Sequence, residues 1–326
     1  MFAQRLKPGD EIRVIAPSAS MAIVKEKQLE IAENRMKQLG FQVTYARNVH
    51  NHDEFYSTSI EDRIQDLHEA FRAPKVKAIL TAIGGYNANQ LLHKIDYEII
   101  RENPKIFCGY GDTTALNLAI YQKTGLVTYS GPHFSTFGVK HGIEYTMEMF
   151  LNAVTNDAPY EIYPSSHWSD DPWYKDQEDR EWVQQDEYLV IQTGETEGRL
   201  VGGNLSTLNL LQGTNNMPSL KDAILFIEED SESHPQDFER KLQSLLQQSD
   251  AKDIKAILIG RAQKEANMTE QALRKIIATK SEIVHLPIIA NVNFGHVHPM
   301  ATLPIGARAT VAAAANDCEI FVEHKE

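Results

Sequence analysis

The chain has 326 residues, which is enough for two domains at roughly 150 residues each. It carries 32 Lys and Arg against 45 Asp and Glu, a formal net charge of −13, which argues against a nucleic-acid-binding or anionic-membrane-binding protein. Two cysteines cannot form a disulfide framework, and neither a signal-peptide pattern nor an apolar run of about 18 residues is found. We therefore expect a cytoplasmic protein with two domains, and no nucleic-acid or membrane partner.

Short β-rich runs alternate with helical patterns in the first half of the chain. The predicted strands are Ile12–Ala16, Phe41–Tyr45, Val76–Ile83 and Ile106–Tyr110. The predicted helices are Leu29–Leu39 closed by Gly40, a helix capped by Ser59, a short one at Leu91–Ile95 and Thr113–Lys123 closed by Gly125. Strands that alternate with helices are typical of a parallel sheet with right-handed crossovers. We predict an N-terminal doubly wound (flavodoxin- or Rossmann-like) domain over residues 1–160.

The segment 161–186 is acidic and aromatic, lacks apolar periodicity, and contains all three tryptophans of the chain: Trp168, Trp173 and Trp182. Long connections of this kind are often functional. A second set of elements follows it, with predicted strands Glu187–Gln192, Ala223–Glu228, Ala256–Ile259, Pro287–Ala290 and Ala307–Val311, and predicted helices Leu205–Leu211, Phe238–Leu246 and Glu270–Ala278. We predict a smaller C-terminal α/β domain over residues 187–326, with 161–186 as a substrate loop and linker.

A sharp turn joins a buried strand to a helix at Cys108–Thr114, which reads CGYGDTT. Hydrolases with an α/β fold place a nucleophile at such a turn, where the free N–H groups of the first helical turn point at the same spot. The residue at the apex would be Gly111, which has no side chain. Spacing alone therefore favours a tight turn that needs a glycine for its positive φ.

Two further glycine pairs, Gly84-Gly85 and Gly202-Gly203, follow apolar runs. Paired glycines let backbone N–H groups approach a ligand closely, as an oxyanion hole requires, although each pair is equally compatible with a simple turn. Cys108 lies within an apolar strand, so we interpret it as a core residue rather than as a nucleophile.

Carboxylates and histidines supply the remaining candidates. The strand Ala223–Glu228 leads into Glu229 and Asp230, and a carboxylate at a strand end can orient a catalytic histidine, unless these residues form an acidic surface loop. His296 and His298 are spaced for zinc on an extended chain, but neither a Cys pair nor an HExxH motif accompanies them. We favour a general base for one of these histidines and expect no metal.

Seven segments, taken in order, resemble the LD-carboxypeptidase family of serine peptidases, and most closely its microcin-C-immunity branch. They are LKPGDEIRVIAPS, AIGGYNANQLLHKIDY, KIFCGYGDTTALNLAIYQKTG, WSDDPWYKDQEDREW, GRLVGGNLSTLNLLQGT, ILFIEED and FGHVHPMATLPIG. The resemblance covers essentially the whole chain.

The resemblance implies a Ser–Glu–His triad at a domain interface, with Glu228 as the acid and His296 as the base. It implies that the backbone N–H groups of Gly85 and Asp112 form the oxyanion hole. The serine position falls on Gly111, where the family pattern Gly-Tyr-Ser-Asp reads Gly-Tyr-Gly-Asp.

Substrate contacts are implied at Gly84, Tyr86, Asn87, Trp173 and Asn204. The substrate is either an L,D-peptide of murein or an aminoacyl-nucleotide conjugate of the microcin C type. An indole of the Trp-rich loop can stack on the base of such a conjugate, and Trp173 is equally compatible with a residue that only anchors the loop. The resemblance implies a homodimer and no cofactor.

Two hypotheses remain for this chain. It is a serine carboxypeptidase or amidase whose nucleophile has been replaced by engineering to trap a substrate, or a naturally inactive homologue that binds peptides or peptidyl nucleotides without cleaving them. Because the other residues that the resemblance implies for catalysis are present, we favour the first hypothesis. A dinucleotide-binding Rossmann protein is disfavoured, because no GxGxxG follows the first strand.

Overall fold

The computed structural model describes residues 1–185, 187–315 and 317–324. Residue 186, which ends the predicted Trp-rich loop, lies outside the described residues, as do 316, 325 and 326 of the predicted C-terminal domain. The strands are β1 (Glu11–Ile15), β2 (Gln42–Tyr45), β3 (Val76–Thr81), β4 (Ile106–Gly109), β5 (Thr128–Ser130), β6 (Tyr160–Glu161), β7 (His167–Trp168), β8 (Val183–Gln184), β9 (Leu189–Gln192), β10 (Gly194–Asn204), β11 (Ala223–Glu228), β12 (Ala256–Gly260), β13 (Ile288–Val292), β14 (Leu303–Ile305), β15 (Arg308–Ala314) and β16 (Asp317–Val322). The α-helices are α1 (Glu26–Gln38), α2 (Ile60–Arg72), α3 (Tyr97–Glu102), α4 (Thr114–Thr124), α5 (Glu144–Thr155), α6 (Leu205–Asn209), α7 (Pro235–Leu246) and α8 (Glu270–Ala278).

The first sheet has the strand order β14-β5-β4-β3-β1-β2. Strands β1 to β5 are parallel in the flavodoxin-like order 2-1-3-4-5, so the predicted doubly wound sheet is confirmed. Strand β14, from the far end of the chain, adds to β5 in the antiparallel sense. The central strands are buried, with side chains such as Ile79 and Phe107 fully covered. Because β1, β3 and β4 run parallel to one another, their carboxyl ends meet at one edge of the sheet.

The second sheet has eight strands in the order β6-β16-β15-β10-β11-β12-β13-β9. Its centre, β10 to β13, is parallel, which agrees with the predicted second α/β unit, and the flanking strands are antiparallel. Strand β6 lies at the predicted boundary near residue 160 but pairs with β16 in this sheet. The division into 1–160, 161–186 and 187–326 remains a prediction.

Local capping explains where several helices begin and end. The Ser59 hydroxyl accepts a hydrogen bond from the Asp62 N–H and caps α2, as predicted. Gly125 ends α4 in the left-handed conformation at φ 72°, which glycine adopts without steric cost. The predicted short helix at Leu91–Ile95 is instead a 3-10 turn at Ala88–Leu91, followed by α3.

One predicted turn is wrong. Gly202 and Gly203 lie inside β10, an 11-residue strand that pairs with β11 and β15 and was not predicted. A Cβ atom on Gly203 would approach Thr114 Oγ1 of α4 to 2.5 Å, and the same hydroxyl accepts a hydrogen bond from the Asn204 N–H. The glycines therefore let the second sheet approach the helix that follows the Gly111 turn.

Across the described ranges, no helix combines the length and the apolar character needed to span a bilayer.

Candidate active site

The turn after β4 holds Gly111 at its apex, with φ +59°, at the start of a 3-10 turn (Gly111–Thr113) that leads into α4. Residues other than glycine rarely adopt this backbone conformation, and the nucleophile turns of α/β hydrolases are strained in the same way. A Cβ atom built on Gly111 would lie 3.4 Å from Nε2 of His296 and 3.6 Å from its Cε1. A side chain at this position would therefore face the imidazole directly.

Glu228 and His296 lie 68 residues apart in the sequence and are hydrogen-bonded to each other. The His296 Nδ1–H donates to Oε2 of Glu228 over 2.6 Å, so the predicted hydrogen bond between the two is confirmed. Glu228 is the last residue of β11 and is buried, whereas the His296 side chain is about a quarter exposed. Two glycines leave room for the carboxylate, because a Cβ on Gly295 would overlap it and one on Gly260 would lie 2.7 Å from the Glu228 Cβ.

The charge of Glu228 decides the ionisation of His296. Burial favours the neutral imidazole, but the attraction and hydrogen bond of Glu228 outweigh it, with smaller contributions from Asp230 and Glu229. The pKa of His296 is therefore raised above its usual value of about 6.5. The site stabilises an imidazolium, which is the state that a general base reaches after it accepts a proton.

Glu229 points away from the histidine. Its carboxylate accepts from the Ser206 hydroxyl at 2.8 and 2.9 Å and lies 3.1 Å from Lys241 Nζ. Burial raises the pKa of Glu229 despite these partners. The first carboxylate after the apolar strand, Glu228, is thus the one that faces His296.

A buried carboxylate connects the three loops at the edge of the first sheet. Asp112 accepts from the Ser18 hydroxyl at 2.5 Å, in the loop after β1, and from the Ala88 N–H at 2.8 Å, in the loop after β3. Gly85, at φ +153°, packs so closely on the first loop that a Cβ would overlap Ser18 Oγ and lie 2.8 Å from the Ala19 nitrogen. The backbone at Gly85 and Asp112 is therefore held in fixed relation. The Asp112 N–H lies in a first helical turn and has no intrahelical partner.

Two aromatic residues beside the site were not predicted. Tyr110 stacks on His133 with ring centroids 4.3 Å apart and meets His296 edge-on at 5.1 Å. The His133 Nδ1 is 2.6 Å from Thr81 Oγ1, and burial lowers the pKa of His133 to about 3, so its ring stays neutral. His133 follows β5, a strand that was not predicted, so the rule that parallel strands end at one sheet edge could not be applied to it.

The predicted substrate residues differ in their surroundings. Tyr86 is 83% exposed, and the charges of Glu232 and Asp230 raise the pKa of its hydroxyl. Gly84 lies beside the site, where a Cβ would be 3.5 Å from His133 Nε2.

The two predicted asparagines already have protein partners. The Asn87 side chain accepts from Arg63 at 2.9 Å and donates to Ser57 at 2.7 Å. The Asn204 side chain accepts from the N–H and the hydroxyl of Thr207, both at 3.0 Å, and so caps α6. Both amides hold loops in place, and their carbonyl oxygens are occupied.

The Trp-rich loop is attached to the loop that bears His296. Ser169 and His298 form a two-way backbone bridge with N–O distances of 2.8 and 3.0 Å. The half-buried Trp173 meets the His298 ring edge-on at 5.8 Å. Trp168 instead lies under the guanidinium of Arg261, at 4.7 Å.

The two histidines predicted as alternatives differ in their surroundings. His298 is buried, and burial, Arg180 and His296 lower its pKa to about 3, whereas only His296 meets a carboxylate. Among the residues that the structure describes, no cluster of three His, Cys, Asp or Glu side chains is arranged to hold a metal ion. Cys108 is buried in β4, which raises the pKa of its thiol and disfavours the nucleophilic thiolate.

Comparison with known proteins connects this geometry to a family. The model of the LD-carboxypeptidase N-terminal domain matches residues 12–131, and that of the C-terminal domain matches residues 197–311. The YocD protein of Bacillus subtilis is 50% identical over 99% of both chains. The crystal structure of an MccF-like protein from Bacillus anthracis has 53% identity and a TM-score of 0.98, covering 99% of each chain.

A more distant relative is the self-immunity protein MccF of Escherichia coli. It is 28% identical over 95% of this chain and 93% of its own length. A structure of MccF in complex with aspartyl sulfamoyl adenosine superimposes with a TM-score of 0.89 and covers 100% of this chain and 99% of that one. Both halves of the chain thus match the two domains of one family, and the chain belongs to the LD-carboxypeptidase family.

Proposed function

We propose that this chain is an amidase of the LD-carboxypeptidase type whose nucleophile position is held by Gly111, so that it binds its substrate amide but hydrolyses it very slowly. Glu228 and His296 act as the orienting acid and the general base. The backbone N–H groups of Gly85 and Asp112 receive the oxyanion.

A single observation carries this proposal. The Cβ position of Gly111 lies 3.4 Å from Nε2 of His296, while Nδ1 of the same ring donates to Glu228 at 2.6 Å. A nucleophile, a base and an orienting acid require this order of contacts. In this chain, the first member of the series lacks only its side chain.

The proposed chemistry follows from these contacts when a serine stands at position 111. Its Oγ attacks the amide carbonyl while Nε2 of His296 takes the hydroxyl proton, and Glu228 stabilises the imidazolium. The oxyanion is held by the two backbone N–H groups, and the imidazolium of His296 gives its proton to the leaving nitrogen as the carbonyl re-forms and the C–N bond breaks. Water enters by the same proton transfers and releases the acyl group.

The test is the variant Gly111→Ser. Loss of a triad serine costs about 10⁶-fold in kcat, so restoring the hydroxyl should raise amide hydrolysis by at least about 10³-fold even if the new side chain is imperfectly placed. The φ of +59° should cost about 1–3 kcal/mol of stability, which thermal unfolding will report. The matched control is Gly111→Ala, which adds the same Cβ and the same strain without an oxygen.

Two substrates should be assayed with each protein: an acidic aminoacyl sulfamoyl adenosine and an L,D-tetrapeptide. MccF binds aspartyl sulfamoyl adenosine, and the Trp-rich loop offers an indole for a base, so we propose the nucleotide conjugate as the better substrate. If Gly111→Ser folds and binds both compounds but cleaves neither, the triad assignment is wrong, and the chain is a binding homologue.

The proposal includes a homodimer in the cytoplasm. Both cysteines are free, as expected in a reducing compartment. Phe55 and Tyr56 are 74% and 61% exposed, and the Ser20 N–H donates to the Tyr56 carbonyl at 2.7 Å, three residues before the exposed Ile23. Light scattering should give twice the chain mass of 36.8 kDa, and Phe55→Ser should shift the mass towards that of one chain. A single-chain mass for the unmodified protein would contradict the dimer.

A further inference from the structure

Arg63 is a buried cation that contacts two of the loops at the carboxyl edge of the first sheet. It lies near the start of α2 and is 2% exposed. Its Nη1 donates to the carbonyl oxygens of Pro17, after β1, and of Asn87, after β3, both at 3.2 Å. Its Nη2 donates to Oε1 of Gln90 at 2.7 Å. One guanidinium, with its rigid arrangement of donors, therefore connects the two loops.

The peptide group between Asn87 and Ala88 is held at both of its polar atoms by charged side chains. Its carbonyl oxygen accepts from Arg63, and its N–H donates to Oδ2 of Asp112 at 2.8 Å. This peptide is trans, so its C=O and N–H point in opposite directions. Hydrogen bonds to charged groups are about twice as strong as those between neutral groups. The loop after β3 is thus fixed between a buried cation and a buried carboxylate.

The loop after β1 is held by the same two side chains. The Pro17 carbonyl accepts from Arg63, and the hydroxyl of the next residue, Ser18, donates to Oδ2 of Asp112 at 2.5 Å. Arg63 and Asp112 therefore hold both loops at neighbouring groups, and a movement of either side chain would be felt by both loops.

The two loops also meet at the peptide group that carries the proposed oxyanion donor. The Ala19 N–H donates to the Gly84 carbonyl oxygen at 3.0 Å. The peptide between Gly84 and Gly85 is trans, so the Gly85 N–H points away from Ala19. The direction of the Gly85 N–H therefore depends on the position of the loop 17–19.

From these contacts we propose that Arg63 is a positioning residue that, together with the Asp112 carboxylate, fixes the direction of the Gly85 N–H towards the oxyanion. The inference rests on the proposed function, in which this N–H is an oxyanion donor. Arg63 acts through the two loops and not on the substrate. Because the oxyanion develops only as the reaction proceeds, loss of Arg63 should lower kcat and leave KM nearly unchanged.

The first experiment measures hydrogen exchange in the unmodified chain and in Arg63→Met, and it does not depend on hydrolysis. Methionine keeps an unbranched stem and removes the guanidinium. The amides of Ala19 and Ala88 are the hydrogen-bonded reporters of the two loops. We expect both to exchange at least about tenfold faster relative to the amides of β12, because both loops open more often. Unchanged relative exchange of these two amides would overturn the proposal.

The matched control is Lys105→Met. Lys105 is also a buried cation, but its Nζ donates to the Val76 carbonyl at 2.6 Å, where β3 and β4 begin. It therefore holds the opposite edge of the same sheet. Its loss should leave the exchange of Ala19 and Ala88 unchanged, and an equal acceleration in both variants would show general loosening rather than a role of Arg63.

The second experiment measures hydrolysis of the aminoacyl sulfamoyl adenosine in the Gly111→Ser background. We expect Arg63→Met to lower kcat at least about tenfold, with KM within about threefold, and Lys105→Met to keep kcat. Arg63→Lys keeps the charge but not the fork of donors, so it should recover part of the loss. A rise in KM alone, or an equal loss of kcat in Lys105→Met, would overturn the proposal.

The two proposals fail in different ways. Inactivity of Gly111→Ser itself would count against the proposed function, whereas an active Gly111→Ser whose kcat does not change on loss of Arg63 would count against the role of Arg63 alone. If Arg63→Met does not fold, Arg63→Lys takes its place in both experiments, and smaller changes in the same directions are expected.

Discussion

The two sheets contribute different kinds of group to the candidate site. The first sheet supplies backbone: the turn at Gly111 and the segments at Gly85 and Asp112, whose N–H groups we propose as the oxyanion donors, with the Asp112 carboxylate held by Ser18 and Ala88. The second sheet supplies side chains: Glu228 at the end of β11 and His296 in the loop after β13. Substitutions in the two sheets should therefore affect the site in different ways. A substitution in the second sheet removes a side-chain functional group, whereas one in the first sheet displaces the backbone.

The largest expected effect comes from removing side chains of the second sheet. In the Gly111→Ser background, we expect His296→Ala to lower kcat by about 10⁶-fold and Glu228→Gln by about 10⁴-fold. The imidazole takes the proton itself, whereas the carboxylate only orients and stabilises it. Single-turnover hydrolysis of the aminoacyl sulfamoyl adenosine measures both.

The control for this pair is Glu229→Gln. Its carboxylate faces Ser206 and Lys241 rather than His296, and the amide can still accept from the hydroxyl. We expect kcat to stay within about tenfold of the parent. An equal loss in Glu229→Gln and Glu228→Gln would show that the wrong carboxylate has been assigned.

A smaller effect is expected from moving the backbone of the first sheet. In the Gly111→Ser background, Gly85→Ala should lower kcat by about 10²-fold, as loss of one oxyanion donor does, because the Cβ would overlap Ser18 and force the loop to shift. Gly84→Ala is the neighbouring comparison. There the Cβ meets only His133 Nε2 at 3.5 Å, an ordinary contact.

The comparison between Gly85 and Gly84 rests on kcat and on urea unfolding measured for both variants. If Gly84→Ala lowers kcat as much as Gly85→Ala at equal stability, the loop tolerates no side chain anywhere, and the donor assignment to Gly85 loses its support.

The same contrast explains what the sequence could predict. The bounds of β11 (Ala223–Glu228) and α8 (Glu270–Ala278) match the prediction residue for residue, because apolar runs and helical periodicity are local. Strand β10 was missed because its first half alternates charged residues and glycine, and its pairing with β15 joins positions more than 100 residues apart. The Glu228–His296 contact came from the resemblance, since no spacing rule links residues 68 apart.

The parts of the site that could not be predicted are those made by packing between elements. Nothing local to Asp112 indicates that its carboxylate meets Ser18, 94 residues away. Likewise, the glycine pair at Gly202-Gly203 has the sequence of a turn but serves a close approach to Thr114. Such contacts depend on the tertiary arrangement, which overrides local preference.

A third prediction concerns the proton that links the two halves. In the folded protein Glu228 raises the pKa of His296, so NMR titration should place its midpoint above about 6.5. This pair therefore stabilises the fold fully below the unfolded pKa of about 6.5, and the contribution is lost as pH rises through the folded midpoint. Glu228→Gln removes the carboxylate and leaves burial, so the midpoint should fall.

The buried His133 provides the internal reference for that titration. Its pKa is lowered to about 3, so its ring should show no protonation step of its own between about pH 5 and 8, the interval over which an unperturbed histidine titrates. A midpoint for His296 that is the same with and without the Glu228 carboxylate would mean that the hydrogen bond does not control the base.

The smallest expected effect lies in the Trp-rich loop. Trp173 is half-buried and lies beside His298, in the loop that bears His296, so Trp173→Ala should weaken binding of an aminoacyl sulfamoyl adenosine by about 1–3 kcal/mol and that of an L,D-tetrapeptide less. The tetrapeptide has no base to stack.

The comparison is Trp182→Ala, because Trp182 lies under the Arg180 guanidinium at 4.4 Å and beside Gly142, and anchors the loop. Its loss should weaken both ligands alike through a looser loop. Calorimetry in the Gly111 background, which does not consume either ligand quickly, measures the six affinities of the unmodified chain and the two variants for the two ligands. Equal weakening of the two ligands by Trp173→Ala would show that this indole also serves only as an anchor, and the preference for a nucleotide conjugate would then lose its support.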